Sequence, residues 1–313
     1  MARFIFVRLL ALLPIALGVA LVAFLLLRLV PGDPARVILG ADAGAEDVAR
    51  VRAQLGLDRP LAIQFGIFVG RAVRGDLGYS YYFKDRVMAL ILSTLPATVE
   101  LSFVAMVAAV AVAVPLGVVA ALRRQTLVDY GSMAIAVFGV AMPPFWLGIL
   151  LIYLFGVQLR WLPTMGIGGH FWTWDGLRHM LLPAATLGAL MLASTTRLTR
   201  AAMLDVLGEE YVRTARAKGL TARQVIYRHA LRNALIPVVT NLGLQMGNLL
   251  GGAFLTETVF AWPGIGRLSV DAMFRRDYPM VQGTLLVVTL IFLLVNLVVD
   301  VLYVMIDPRI TYD

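Results

Sequence analysis

Apolar residues run along this chain in long unbroken blocks, not in the alternation of a half-buried strand. Stretches free of Asp, Glu, Lys, Arg and His cover residues 9–27, 101–122, 131–159, 180–196, 233–256 and 280–299. A helix needs about 20 apolar residues to cross about 30 Å of hydrocarbon, so the pattern predicts six spans. The fourth is short by this measure, but Arg178 and Arg197 at its ends can snorkel to the interface. The expected fold class is an all-α membrane protein with six transmembrane helices. An even number of spans places both termini on one side.

Composition agrees with that class. The chain has 313 residues, 60% hydrophobic and 15% charged, where a soluble domain carries about 45–50% apolar and about 25% charged residues. Leu9 to Leu27 is 19 uncharged residues behind the basic Arg3 and Arg8, which reads as a retained first helix and not as a cleaved leader. The net charge of +8 does not point to nucleic acid, because the excess sits in particular loops. Residues 197–232 hold eight Lys and Arg against Asp205, Glu209 and Glu210. Arg123 and Arg124, and Arg3 and Arg8, fall on the same side in a six-span chain. That side is expected to be cytoplasmic, termini included. The segment 31–90 on the other side is nearly balanced, eight cations against seven acids, and long segments translocate whatever their charge.

The 31–90 segment has helical signals of its own. Val48, Val51 and Leu55 share a face before Gly56, and a helix opened by Pro60 carries Leu61, Phe65 and Phe68 before Gly75. Tyr79, Tyr81, Tyr82 and Phe83 read as interfacial aromatics, with a substrate-contacting patch as the alternative. Pro14, Pro115, Pro143, Pro144 and Pro183 lie inside spans. Pro143–Pro144 is the candidate hinge, or a fixed kink.

The one long basic, helix-forming stretch outside the spans is Glu210 to Pro237. Its residues favour helix on both sides of Gly219, and glycine enters a left-handed cap conformation cheaply. Thr221 followed by Gln224 is a capping-box signature. The prediction is helix, glycine corner, capped helix, then the fifth span.

Candidate chemistry is sparse. His170, His179 and His229 are scattered, cysteine is absent, and neither a metal-ligand spacing nor a phosphate-binding glycine loop occurs. Ionisable residues are missing from the span interiors, which argues against a proton- or ion-coupled carrier. The fifth span does carry a polar stripe: Asn241, Gln245 and Asn248 share a helical face. Those amides either glue helices together or line a translocation path. Gly243, Gly247 and Gly251 form a second face expected to pack against a neighbour.

The stretch from Tyr211 resembles the loop by which permease subunits of bacterial ABC importers dock onto their ATPases. Arg213, Thr214, Ala215, Arg216, Ala217, Lys218, Gly219 and Leu220 are similar to the peptide-transporter branch of that family. The resemblance extends along nearly the whole chain. It includes Leu29-Val30-Pro31-Gly32-Asp33-Pro34, Leu55 to Pro60, Gly75-Asp76-Leu77-Gly78, Glu257 to Gly266, Arg276-Asp277-Tyr278-Pro279, Asn296-Leu297, Asp300, Tyr303 and Asp307-Pro308-Arg309. It implies a type I ABC importer permease fold, with residues 1–95 holding the first helix and the external region. Residues 96–313 would then form a five-helix core with a cytoplasmic coupling loop at about 200–236. It further implies a transport subunit for dipeptides, oligopeptides or glutathione, with a nickel chelate or a secondary ion-coupled carrier as alternatives. The implied partners are a second homologous permease, two cytoplasmic ATPases and a periplasmic or lipid-anchored substrate-binding protein, in membrane lipid. ATP and magnesium would belong to the ATPases, and this chain would bind no cofactor. The residues from Tyr211 to Leu220 just named, with Arg228 and Arg232, would meet the ATPases. Asn241, Gln245 and Asn248 would line the path.

Overall fold

The computed structural model describes residues 2–29, 44–54 and 56–306. The motifs at 30–34, at Leu55 and at 307–309 lie outside the described residues.

Long apolar blocks become long helices. They are α1 (Ala2–Leu29), α4 (Val87–Leu122), α7 (Trp174–Leu207) and α12 (Tyr278–Ile306). Each contains a stretch long and apolar enough to cross a membrane. Two further apolar stretches are bent pairs. In the first, α5 (Leu127–Ala141) stops, Met142 and Pro143 take extended backbone, and α6 (Pro144–Leu151) restarts and continues as a π-helical turn over Ile152–Gln158. The proline pair breaks the helix outright: Pro144 has no N–H to give, and the residue before it is steered away from helical angles. The second bent pair lies in α10 (Leu231–Val259) and the short helical segment leading into it. By length and composition the described residues thus contain four candidate spans, or up to six if each bent pair is one span.

The shorter signals also fold as their residues dictate. α2 (Ala45–Gln54) and α3 (Leu61–Val73) form, with Pro60 as the N-terminal cap of α3. Gly56 and Gly75 take the left-handed conformation at the two corners, with φ of +66° and +79°.

The chain divides into two compact units, 1–97 with 264–313, and 98–263. The last 50 residues thus belong to the same unit as the N-terminal ones. The reason is visible within that unit. Gln282 on α12 donates to the Ala23 carbonyl of α1 at 2.9 Å, and Arg8 pairs with Asp300 at 3.1 Å. Phe24 of α1 meets Phe65 of α3 edge-on at 5.3 Å. A two-stranded hairpin, β1 (Tyr79–Ser80) and β2 (Asp85–Arg86), leads into α4. α4 therefore begins well before residue 101, inside what the charge pattern assigned to the external segment. Val87, Ile91, Leu77 and Met280 form a buried core with Ile265, Leu268 and Ala272 of α11 (Ile265–Phe274).

In the second unit α7 packs against α5, α6 and α10. Small residues set the spacing: a Cβ on Gly117 would lie 2.6 Å from Thr199, and one on Gly188 would lie 2.9 Å from the Ala105 carbonyl. The packing expected of Gly251 is not found, because a Cβ there would meet nothing within 4 Å. Gly247 of the same stripe is buried, and close helix contact is also made by glycines that no motif spacing singled out.

Candidate functional site

The basic loop is built on a helix end. α7 stops at Leu207, Gly208 caps it, and α8 (Glu210–Ala217) begins after Glu209. α8 ends at the corner the sequence requires. Gly219 has φ of +79°, its N–H bonds to the Arg216 carbonyl at 3.0 Å, and the Leu220 N–H reaches Ala215 at 3.4 Å. A Cβ at Gly219 would meet nothing within 4 Å, so the backbone angle alone demands glycine. α9 (Ala222–Gln224) then starts with the predicted capping box: the Thr221 N–H donates to Gln224 Oε1 at 3.0 Å, and Gln224 N–H returns to the Thr221 hydroxyl at 3.4 Å. A π-helical stretch, Val225–Ala230, carries the chain into α10.

This loop has a core of its own. Val212, Ala215 and Val225 are buried together, with Val206, Leu207 and Leu220 packed on them. Ala215 therefore faces inward and Leu220 is half-buried. Tyr211, Arg213, Thr214, Arg216, Ala217, Lys218, Gly219, Arg228 and Arg232 are exposed. The Tyr211 hydroxyl accepts from Asn233 Nδ2 at 2.8 Å, tying α8 to the start of α10. Arg213 pairs with Glu210 at 3.0 Å across one turn, and both are exposed, so the pair contributes little stability. The arrangement is a rigid, cationic two-helix step fixed to two long helices. The Tyr211–Asn233 tie escaped the sequence reading, since nothing in periodicity pairs residues 22 apart.

On α10, Asn241 and Gln245 are half-buried, and the side chain of Asn248 lies outside the described residues. Gln245 Oε1 accepts from the Ser194 hydroxyl of α7 at 3.0 Å. Its Nε2 is buried and has no hydrogen-bond partner among the described residues.

Two buried carboxylates in the same unit were missed as well. Asp129, near the start of α5, receives two hydrogen bonds from Arg200 of α7, at 2.6 and 2.7 Å, and a third from the Gln125 N–H at 3.0 Å. This two-pronged geometry is the strong form of an ion pair. Glu257, fully buried near the end of α10, accepts from the Thr98 hydroxyl at 2.5 Å. Both carboxylates stand at the ends of apolar blocks, where a sequence offers no sign of their partners.

The first unit holds a third. Asp277 follows α11 and is buried. It accepts from the Ser80 hydroxyl, from the Tyr82 N–H at 3.3 Å and from the Met280 N–H at 3.3 Å. The hairpin is thereby fastened to a turn 197 residues later. That turn is a Schellman-type helix end, with Asp277 N–H on the Ala272 carbonyl at 2.9 Å and Arg276 N–H on Met273 at 3.1 Å. Arg276 sits in the left-handed position with φ of +55°, where a side chain costs about 1–2 kcal/mol relative to glycine. Tyr81, Tyr82, Arg275, Arg276, Asp277, Tyr278 and Pro279 line a cleft of about 210 Å³. Of the predicted interfacial aromatics, Tyr79, Tyr81 and Tyr82 are exposed, while Phe83 packs on the core.

Among the described residues, no group of three or more His, Cys, Asp or Glu is placed to hold a metal ion.

Comparison with known proteins follows this geometry. Residues 113–312 match the family described as binding-protein-dependent transport system inner membrane component, and residues 1–102 match its N-terminal region. The glutathione transport system permease protein GsiC of Escherichia coli strain K12 is 47% identical over 312 residues, covering 100% of both chains. The dipeptide transport system permease protein DppB of Alkalihalophilus pseudofirmus is 44% identical, over 97% of this chain and 98% of its own. Among solved structures, the MetNI methionine ABC transporter in inward-facing conformations has a chain similar over 70% of this one, with a TM-score of 0.57 and 18% identity. A chain of the structure described as an amino acid ABC transporter with histidines gives a TM-score of 0.50 at 16% identity, over 71% of this chain. At such identities the likeness concerns the fold.

Proposed function

Since this chain belongs to the binding-protein-dependent transport system inner membrane components, the permeases of peptide ABC importers, we propose that it forms half of a peptide translocation path. A second, homologous permease supplies the other half. As a permease of this family it is a multi-pass protein of the bacterial inner membrane and is not itself an enzyme. Hydrolysis of ATP falls to two cytoplasmic ATPases, and substrate arrives on an external binding protein. The substrate class is a dipeptide or a short peptide such as glutathione, after the relatives that align end to end. Read as six spans, the chain would have both termini and the Arg213–Arg232 loop in the cytoplasm, and the excess of cations in that loop supports this orientation.

The observation that carries this reading is the loop at Gly219. Its buried core of Val212, Ala215 and Val225, and the Tyr211–Asn233 bond, make it a body that moves with α7 and α10. A push on its exposed face reaches the long helices without being absorbed. In the proposed cycle ATP closes the ATPase pair, the docking helices ride on it, and the path alternates between outward and inward openings. Such coupling requires one element that both sites bias, and this loop is that element.

The test is reconstitution in vesicles with the second permease, the ATPases and the binding protein of the same importer. Labelled dipeptide and labelled glutathione should be taken up only with ATP and only with the binding protein present. Uptake driven by an ion gradient without ATPase subunits would replace the importer with a secondary carrier.

A further inference from the structure

The turn after α11 keeps an arginine where glycine is the favoured residue. Arg276 has φ of +55°, and its own N–H and that of Asp277 make the Schellman hydrogen bonds. Nothing in that backbone pattern needs an arginine, and the side chain that stands there lines the cleft beside the hairpin. Arg275 beside it is also exposed, and its guanidinium lies 4.6 Å over the ring of Tyr82. The one carboxylate of the cleft, Asp277, is buried and fully engaged by Ser80, Tyr82 and Met280. On the adjoining hairpin Lys84 and Arg86 are exposed with Asp85. The lining of the cleft itself presents two guanidiniums, Arg275 and Arg276, and one carboxylate that is already engaged. The walls are tyrosine rings, on a hairpin fastened from beneath.

We propose that this cleft docks the external binding protein by receiving one of its acidic side chains. Guanidinium pairs bind carboxylates in a fixed geometry, and the flanking rings cover the methylenes of a Glu or Asp. At about 210 Å³ the cleft is below the about 300–1,000 Å³ of pockets that enclose a small molecule. It suits one side chain presented by a larger surface better than a free peptide. The braced hairpin and the fixed turn hold the guanidiniums in place before contact, which lowers the ordering cost of docking. This assignment rests on the importer reading above.

Arg276→Gly is a clean test, because glycine relieves the left-handed backbone and the variant should be no less heat-stable than the parent. The reconstituted complex is titrated with loaded binding protein while ATP hydrolysis is followed. Arg276→Gly should raise the half-stimulating concentration about tenfold with little change in the maximal rate. Arg276→Lys should fall between, and Arg276→Glu should be worse than Gly. Added salt should weaken the parent more than the glycine variant. An unchanged half-stimulating concentration in Arg276→Gly, with the parent normally stimulated, would overturn the docking site and leave the importer intact. A shifted peptide concentration dependence with unchanged binding-protein dependence would overturn it in favour of a peptide carboxylate. Failure of the binding protein to stimulate even the parent would overturn both readings.

Discussion

Several helix ends in this protein turn on a left-handed residue, and those after α8 and α11 solve it differently. After α8 the residue is Gly219, with φ of +79° and open space around it. After α11 it is Arg276, with φ of +55°. At the first corner only the path of the backbone matters, so the cheapest residue is present. At the second a guanidinium lines a cleft, although glycine suits the angle better. Shape and side-chain chemistry are thus separable by substitution: a residue other than glycine should damage the first corner, and glycine should leave the second one folded.

The largest effect is expected beneath the second corner. Asp277→Ala strands the Ser80 hydroxyl and the N–H groups of Tyr82 and Met280, at about 1–3 kcal/mol for each donor left unpaired in the interior. The hairpin should detach, and the yield and melting temperature of the purified subunit should drop well below those of Arg276→Gly. Equal stability of the two variants would break the distinction between brace and presented side chain.

The next effect belongs to the first corner. Gly219→Val forces a β-branched residue into left-handed backbone, at about 1–2 kcal/mol or more. A Cβ there meets nothing within 4 Å, so the main damage is expected in the angle between α8 and α9. Uptake should fall several-fold with the subunit still inserted, and co-purification of the ATPases should weaken. Gly219→Asn, which tolerates the left-handed region better, should keep most of both. Full uptake by the valine variant with ATPases still bound would show that the corner's shape is not what couples.

These contrasts also explain what the sequence disclosed. The loop from Glu210 to Ala230 is local: its propensities, the glycine and the Thr221–Gln224 box all act within a few residues, and each formed as its spacing required. The apolar blocks likewise produced helices, and Pro143–Pro144 produced a break. What stayed hidden is long-range. The Ser80–Asp277 brace joins residues 197 apart, and the Asp129–Arg200 pair 71 apart. Single residues at the ends of apolar blocks carry no periodicity, and only the packed fold chooses their partners. The same holds for Gly117 and Gly188, which set helix contacts, whereas the regular spacing that ends at Gly251 leaves that glycine uncrowded.

The smallest effect on stability, and the sharpest separation of side-chain role from packing, is expected at Gln245. Its Oε1 accepts from Ser194, but that hydroxyl also donates to the Met191 carbonyl at 3.1 Å, so it keeps a partner if Gln245 is replaced. Its Nε2 is buried with no partner among the described residues, an arrangement that costs free energy unless something outside this chain accepts from it. Gln245→Leu removes both the bond and the unpaired donor in a side chain of similar volume. Within the subunit the change should be close to neutral, with melting temperature and assembly near the parent. If Nε2 faces the translocation path, where water or a peptide carbonyl can accept from it, uptake should fall several-fold while stimulated ATP hydrolysis falls less. If Nε2 instead meets the second permease, recovery of the assembled pair should drop in proportion to uptake. Measuring assembly, ATP hydrolysis and uptake on this one variant decides between them, and proportional loss of assembly would remove Gln245 from the path.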